Sequence, residues 1–151
     1  GLITTGAGGG AGTALDDRMI GSAWADTLNG GMGDDFLHDG GGNDMLIGGA
    51  GADVFVFGTL TDSALGTNRD LVMDFVTGQD VIDLSLIDAD TATAGHQSFA
   101  FAGTTPTANA VWMTLAGTRL LLRADVTGDG IADTEISLEG ISSVGLADLL
   151  L

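Results

Sequence analysis

The sequence predicts an all-β chain: a parallel β-roll of nonapeptide repeats over residues 1–57, then an antiparallel, β-sandwich-like cap over residues 58–151, the two joined as one continuous module. Three observations lead there. Aspartates stand at 17, 26, 35, 44 and 53, a strict spacing of nine. Each is followed two positions later by an apolar residue: Met19, Leu28, Leu37, Leu46 and Phe55. Glycine makes up 26 of 151 residues, more than twice its usual share of roughly 7%.

Aligned on the aspartates, the repeat gives five units: GTALDDRMI (12–20), GSAWADTLN (21–29), GGMGDDFLH (30–38), DGGGNDMLI (39–47) and GGAGADVFV (48–56). The third and fifth fit G-G-x-G-x-D-x-U-x throughout, and the fourth departs only at Asp39. The first six positions must turn tightly, and glycines such as Gly31, Gly33, Gly40, Gly42, Gly49 and Gly51 permit the backbone conformations this needs. The aspartate at position six adds a hard, charged oxygen of the kind Ca²⁺ prefers. The last three positions form a short strand whose central side chain points inward. One unit cannot bury that side chain alone, so the units must stack. A flexible Gly/Asp linker would need neither the aspartate register nor the apolar one. Before Gly12 the register fades, consistent with a frayed end or with the stub of a longer roll.

After Val56 the period disappears. Strands are expected at Asp53–Phe57, Leu71–Phe75, Val81–Leu84, Ser98–Ala102, Val111–Leu115, Arg119–Arg123 and Glu135–Leu138. Only Ala147–Leu151 and Leu86–Ala89 suggest helix. The segment is placed to cover the open edge of the roll.

Composition narrows the function. Twenty-one acidic residues against four basic ones give a net charge of −17, yet 44% of residues are apolar. Such a chain can build a core, unlike a disordered acidic tail. Its charge repels nucleic acid and anionic lipid and attracts cations. It contains no cysteine, hence no disulfide or thiolate metal site. No run of 18 apolar residues is present to span a membrane. The opening GLITTGAGGG lacks a secretory n-region and h-region, so an export address is expected upstream or at the C-terminus.

The nonapeptide is the signature of the RTX calcium-binding β-roll. The stretches DVFVFGTLTDS, RDLVMDFVTGQDVIDLSLIDADTATAGHQSFAF and ADVTGDGIADTEISLEG resemble the C-terminal domain of the serralysin family of secreted metalloproteases. Related modules end other type I secretion substrates, including lipases, glycanases and alginate epimerases. The resemblance runs from Gly12 to Leu151 and identifies the module type, not the parent enzyme. It implies two units per turn, with calcium between the loops of units two apart. Three pairings follow: Asp17 with Asp35, Asp26 with Asp44, and Asp35 with Asp53. The third has both loops complete (Gly30, Gly31, Gly33 and Gly48, Gly49, Gly51). The other two are weaker, because Ser22, Ala23 and Trp24 interrupt the second unit and Leu15 interrupts the first. The resemblance further implies a bacterial, extracellular setting, an upstream catalytic domain in the parent chain, and passage through type I secretion machinery. Asp148 before Leu149–Leu151 is similar to the terminus of uncleaved type I signals; a short amphipathic cap helix is the alternative.

A second acidic stretch, D-V-T-G-D-G-I-A-D, places Asp125, Thr127, Asp129, Gly130 and Asp133 as in an EF-hand loop. The bidentate glutamate of such loops is replaced by Ile136, and the flanks read as strands. This loop is expected either to hold one Ca²⁺ or to be a solvated Asp-Gly turn.

No catalytic residues are assigned. The H-E-x-x-H zinc signature and the G-x-S-x-G elbow are absent, and His38 and His96 stand far apart. The rival to a calcium-folded secretion module is a calcium-stabilised carbohydrate-binding or adhesion module, with polysaccharide as partner. Trp24, in a turn, and Trp112, in V-W-M-T-L, would serve it; packing of Trp24 over the end of the roll and of Trp112 in the cap is the alternative.

Overall fold

A computed structural model describes residues 1–151. The chain winds as a flattened coil whose successive strands fall alternately on two sheets. The strands are β1 (Leu2–Thr4), β2 (Gly10–Ala11), β3 (Arg18–Ile20), β4 (Thr27–Met32), β5 (Phe36–His38), β6 (Met45–Ala50), β7 (Val54–Val56), β8 (Asp70–Val72) and β9 (Val81–Asp83). They are followed by β10 (Ala100–Phe101), β11 (Ala110–Ala116), β12 (Arg119–Ala124), β13 (Thr134–Glu139) and β14 (Leu149–Leu150). One sheet runs β1-β3-β5-β7-β9-β14 and the other β2-β4-β6-β8-β13-β12-β11-β10.

Register follows the nine-residue repeat. Met19 pairs with Leu37 and Leu37 with Phe55 on one sheet, and Leu28 pairs with Leu46 on the other. All five position-eight side chains are fully buried. They stack between the sheets and continue into Val72 and Ile82, giving one core that runs on through Leu120, Leu122, Ile136 and Leu138. At 25–30 cal/mol per Å², burying each such side chain favours folding by about 1.5–3 kcal/mol.

Every strand expected after Val56 is present within a few residues of its expected ends. The cap differs from a separate sandwich in one respect. Its antiparallel ribbon β11-β12-β13 joins the roll edge to edge, through the parallel pairs β13–β8 and β8–β6. The roll also extends further in both directions than the repeat does. Upstream, β1 and β2 pair in parallel with β3 and β4, so the faded register there is further coil. Downstream, β8 and β9 add rungs over β6 and β7.

The helix expectations are corrected. Leu86–Ala89 is turn, and Ala147–Leu151 divides into one 3₁₀ turn at Leu146–Asp148 and the strand β14, which pairs with β9. The open edge of β9 captures the terminal leucines as a strand, where backbone pairing and burial of Leu149 outweigh local helix propensity. Asp148 is itself buried and accepts the N–H of Gly78 at 2.6 Å and of Gly145 at 2.7 Å.

Candidate metal centre

Each roll strand is entered through an aspartate, and these aspartates stack in two columns. The first contains Asp17, Asp35, Asp53 and Asp80. One carboxylate oxygen of each later rung accepts the backbone N–H of the aspartate before it: Asp17 to Asp35 at 2.7 Å, Asp35 to Asp53 at 2.9 Å, and Asp53 to Asp80 at 3.0 Å. The second column contains Asp26, Asp44 and Asp70, with the N–H groups of Gly8, Asp26 and Asp44 donating to them in turn at 2.7 Å. The three pairs expected from the repeat are thus brought together.

The glycines make these contacts possible. Gly33 and Gly51 turn with φ of 105° and 144°, and a Cβ on Gly51 would strike the Gly33 carbonyl of the rung beneath. A Cβ on Gly30 or Gly48 would run into Oδ2 of Asp35 or Asp53. Glycine at position one therefore keeps space open beside that second oxygen.

The second oxygen separates the rungs into two groups. Oδ2 of Asp35, Asp44, Asp53 and Asp70 is buried and has no hydrogen-bond partner. Asp17 and Asp26 differ. Thr13 gives its N–H and hydroxyl to Asp17 Oδ2 at 2.7 and 2.8 Å, and Ser22 does the same for Asp26 Oδ2 at 2.6 and 2.8 Å. Thr13 and Ser22 hold position two, which is glycine in the complete units.

Titration follows the same division. Burial, reinforced by neighbouring aspartates, pushes Asp44 up to about 7 and Asp53 to about 6. Burial likewise raises Asp70 to about 6 and lifts Asp35 and Asp80. Asp17 is held below the usual carboxylate range by the α-ammonium of Gly1 and by Thr13. Burial raises Asp26 too, but the Ser22 hydrogen bonds outweigh it and leave it lowered.

No side-chain cation answers these carboxylates. Arg69 and Arg123 pair with Glu135 at 2.8 and 2.6 Å, Arg119 pairs with Glu139 at 2.6 Å, and Arg18 lies over the Phe36 ring. An unpaired buried carboxylate is costly. Buried, partnerless carboxylate oxygens beside glycine-lined space form a hard, all-oxygen donor set, which fits Ca²⁺.

Three residues here escaped the sequence reading. Asp70 and Asp80 continue the columns after the nine-residue spacing has lapsed. Their signal was the surviving D-x-apolar triplet, Asp70-Leu71-Val72 and Asp80-Val81-Ile82. Asp39, in a glycine position, lies wholly buried with both oxygens unpartnered, and its ligand atoms gather with those of Asp44 and Asp70 within 4.8 Å. Burial, and then Asp70 beside it, push its carboxyl strongly upward.

The 125–133 loop is different in kind. Asp125 accepts the N–H groups of Thr127, Gly128 and Gly130 at 2.6–2.8 Å, and Asp133 accepts that of Val126 at 2.8 Å. Asp129 accepts from Ile131 at 2.8 Å. These oxygens are engaged by their own loop, and these bonds outweigh burial to lower Asp125. Of the tryptophans, Trp112 is buried on the sheet face opposite the core. Trp24 is 71% exposed, so its expected packing over the roll is corrected: at position four of its loop it projects away from the core.

Comparison with known proteins agrees with this geometry. Residues 29–151 match the family described as Peptidase M10 serralysin C terminal. The chain belongs to the serralysin C-terminal family. Residues 11–38 of this serralysin-type module also match the RTX calcium-binding nonapeptide repeat. It is thus an RTX-type calcium-binding module, in a family of secreted bacterial proteins, and such domains are not catalytic by themselves. Among solved structures, the AlgE6R3 subunit of the Azotobacter vinelandii mannuronan C5-epimerase is similar at 32% identity, over 92% of this chain and 80% of that one, with a TM-score of 0.57. The AlgE6R2 subunit of the same enzyme is similar at 28% identity, over 100% of this chain and 92% of that one, with a TM-score of 0.61. A search of curated proteins found no match.

Proposed function

We propose that the chain is a calcium-triggered folding module that supports secretion and stability of an enzyme domain joined upstream. The observation that carries this reading is the set of buried, partnerless Oδ2 atoms on Asp35, Asp44, Asp53 and Asp70. Asp35 and Asp53, with the loops Gly30–Gly33 and Gly48–Gly51, would hold one ion, and Asp44 with Asp70 another. Asp80 closes the first column. Asp26 and Asp17 form the weaker, N-terminal end of the set, and Gly40 and Gly42 turn the loop that carries Asp44. Bound Ca²⁺ supplies two positive charges and oxygen coordination to carboxylates that otherwise repel one another. Where calcium is scarce, the aspartates disfavour the coil and leave the chain extended enough to thread a type I secretion channel. Where it is plentiful, one site at a hundredfold excess over Kd stabilises by about 2.7 kcal/mol.

The test is calcium stoichiometry by isothermal titration. Asp35→Ala should remove at least one ion per chain, whereas Asp125→Ala should leave the count unchanged, because Asp125 is engaged by its own loop. An unchanged count in Asp35→Ala would contradict the reading.

A second reading is favoured by one observation, the exposed Trp24. With calcium saturating, this side chain would stack on a sugar ring of a polysaccharide, making the module carbohydrate-binding or adhesive. A shift in Trp fluorescence on adding oligosaccharide, lost in Trp24→Ala, would support it. The similar subunits come from an enzyme named for mannuronan, so mannuronan oligomers are the first ligands to try.

A further inference from the structure

The third and fourth units meet at His38 and Asp39, and Asp39 stands where the repeat calls for glycine. The two side chains converge with Asp62, from the first loop of the cap. Ligand atoms of His38, Asp39 and Asp62 all lie within 4.8 Å of one another. Asp39 is wholly buried, and neither of its oxygens has a hydrogen-bond partner. Asp62 is also buried and is fixed in place by the N–H groups of Gly58 and Thr59 at 2.7 and 2.8 Å and by the Thr59 hydroxyl at 2.6 Å. Glycine at 58 leaves room for the imidazole, since a Cβ there would come within 2.9 Å of His38 Nε2.

We propose that His38, Asp39 and Asp62 form a second kind of metal site, one that takes a nitrogen-accepting divalent ion such as Zn²⁺ and fastens the roll to the cap. The donor set is one imidazole and two carboxylates. Imidazole suits Zn²⁺ and its transition-metal neighbours, whereas Ca²⁺ takes oxygen ligands. The two metals are thereby sorted by chemistry between adjacent sites. Zinc at about 2.0–2.2 Å from each ligand atom would place those atoms about 3.3 Å apart, so a modest inward movement completes the set. The residues come from β5, from the turn after it, and from the loop after β7. The ion would therefore tie together two rungs of the coil and the start of the cap.

The experiment is zinc titration of the whole chain held at saturating calcium, read by calorimetry, with Co²⁺ absorbance as the spectroscopic check. One zinc per chain is expected. His38→Asn should weaken zinc binding at least tenfold, with calcium stoichiometry and circular dichroism unchanged. His96→Asn should bind zinc as the parent does, and Asp39→Gly, which restores the repeat, should lose zinc yet still fold with calcium. The proposal is overturned by absence of zinc binding at saturating calcium, or by equal binding in His38→Asn. It also fails if raising calcium displaces the zinc in proportion, which would assign Asp39 to the calcium ligands with Asp44 and Asp70. A failure of the calcium reading would show separately, as a chelated protein indifferent to calcium.

Discussion

At the scale of single residues, position two of each unit decides whether a rung needs metal. Thr13 and Ser22 saturate the second oxygen of Asp17 and Asp26, whereas Gly31, Gly40 and Gly49 have no side chain to do so. Ser22→Gly should therefore destabilise the calcium-free protein by about 1–3 kcal/mol, the cost of a buried oxygen left unpaired, and calcium should restore most of the loss. Thermal melts with chelator and with calcium would measure both effects. pH provides an independent check. The folded-state values of Asp44 (about 7), Asp53 (about 6) and Asp70 (about 6) lie above the ordinary unfolded value near 3.9. Between about pH 4 and pH 7 the folded state thus binds more protons than the unfolded one, so its stability falls as pH rises. The chelated protein should melt higher at pH 5 than at pH 8. Calcium competes with those protons, so its affinity should rise over the same interval. Much of this chemistry was legible in the sequence, because aspartate and glycine recur in strict register. Asp39 was not, because a repeat reports what is shared and hides a lone substitution whose consequence is three-dimensional.

At the scale of elements, the apolar stack is continuous through all seven inward-facing roll residues, from Met19 to Ile82. Leu46→Ala, within the repeat, and Ile82→Ala, beyond it, should each cost about 2–5 kcal/mol in calcium-saturated denaturant unfolding. Equivalent losses would show that the coil past Val56 is as integral as the repeats. The strands of the cap were legible because alternation marks them, Leu120 and Leu122 facing in while Arg119 and Arg123 face out with their glutamate partners. The extra rungs β8 and β9 were harder to place. Their aspartates keep the triplet but lie 26 and 27 residues after Asp44 and Asp53 instead of 18, with irregular loops between. The terminal strand β14 was obscured because pairing with β9 is a long-range event that local propensity does not encode.

At the scale of the whole molecule, the net charge of −17 is concentrated where the coil brings aspartates together, and the arginines are occupied elsewhere. Folding without divalent cations must work against that repulsion, although one apolar core spans roll and cap. The account's central claim is that metal completes the fold. The most direct test is far-UV circular dichroism during a calcium titration of chelator-treated protein at neutral pH. The account predicts a cooperative gain of β-signal with calcium and none with magnesium at equal concentration. A spectrum already fully β-structured in chelator and unmoved by calcium would contradict it.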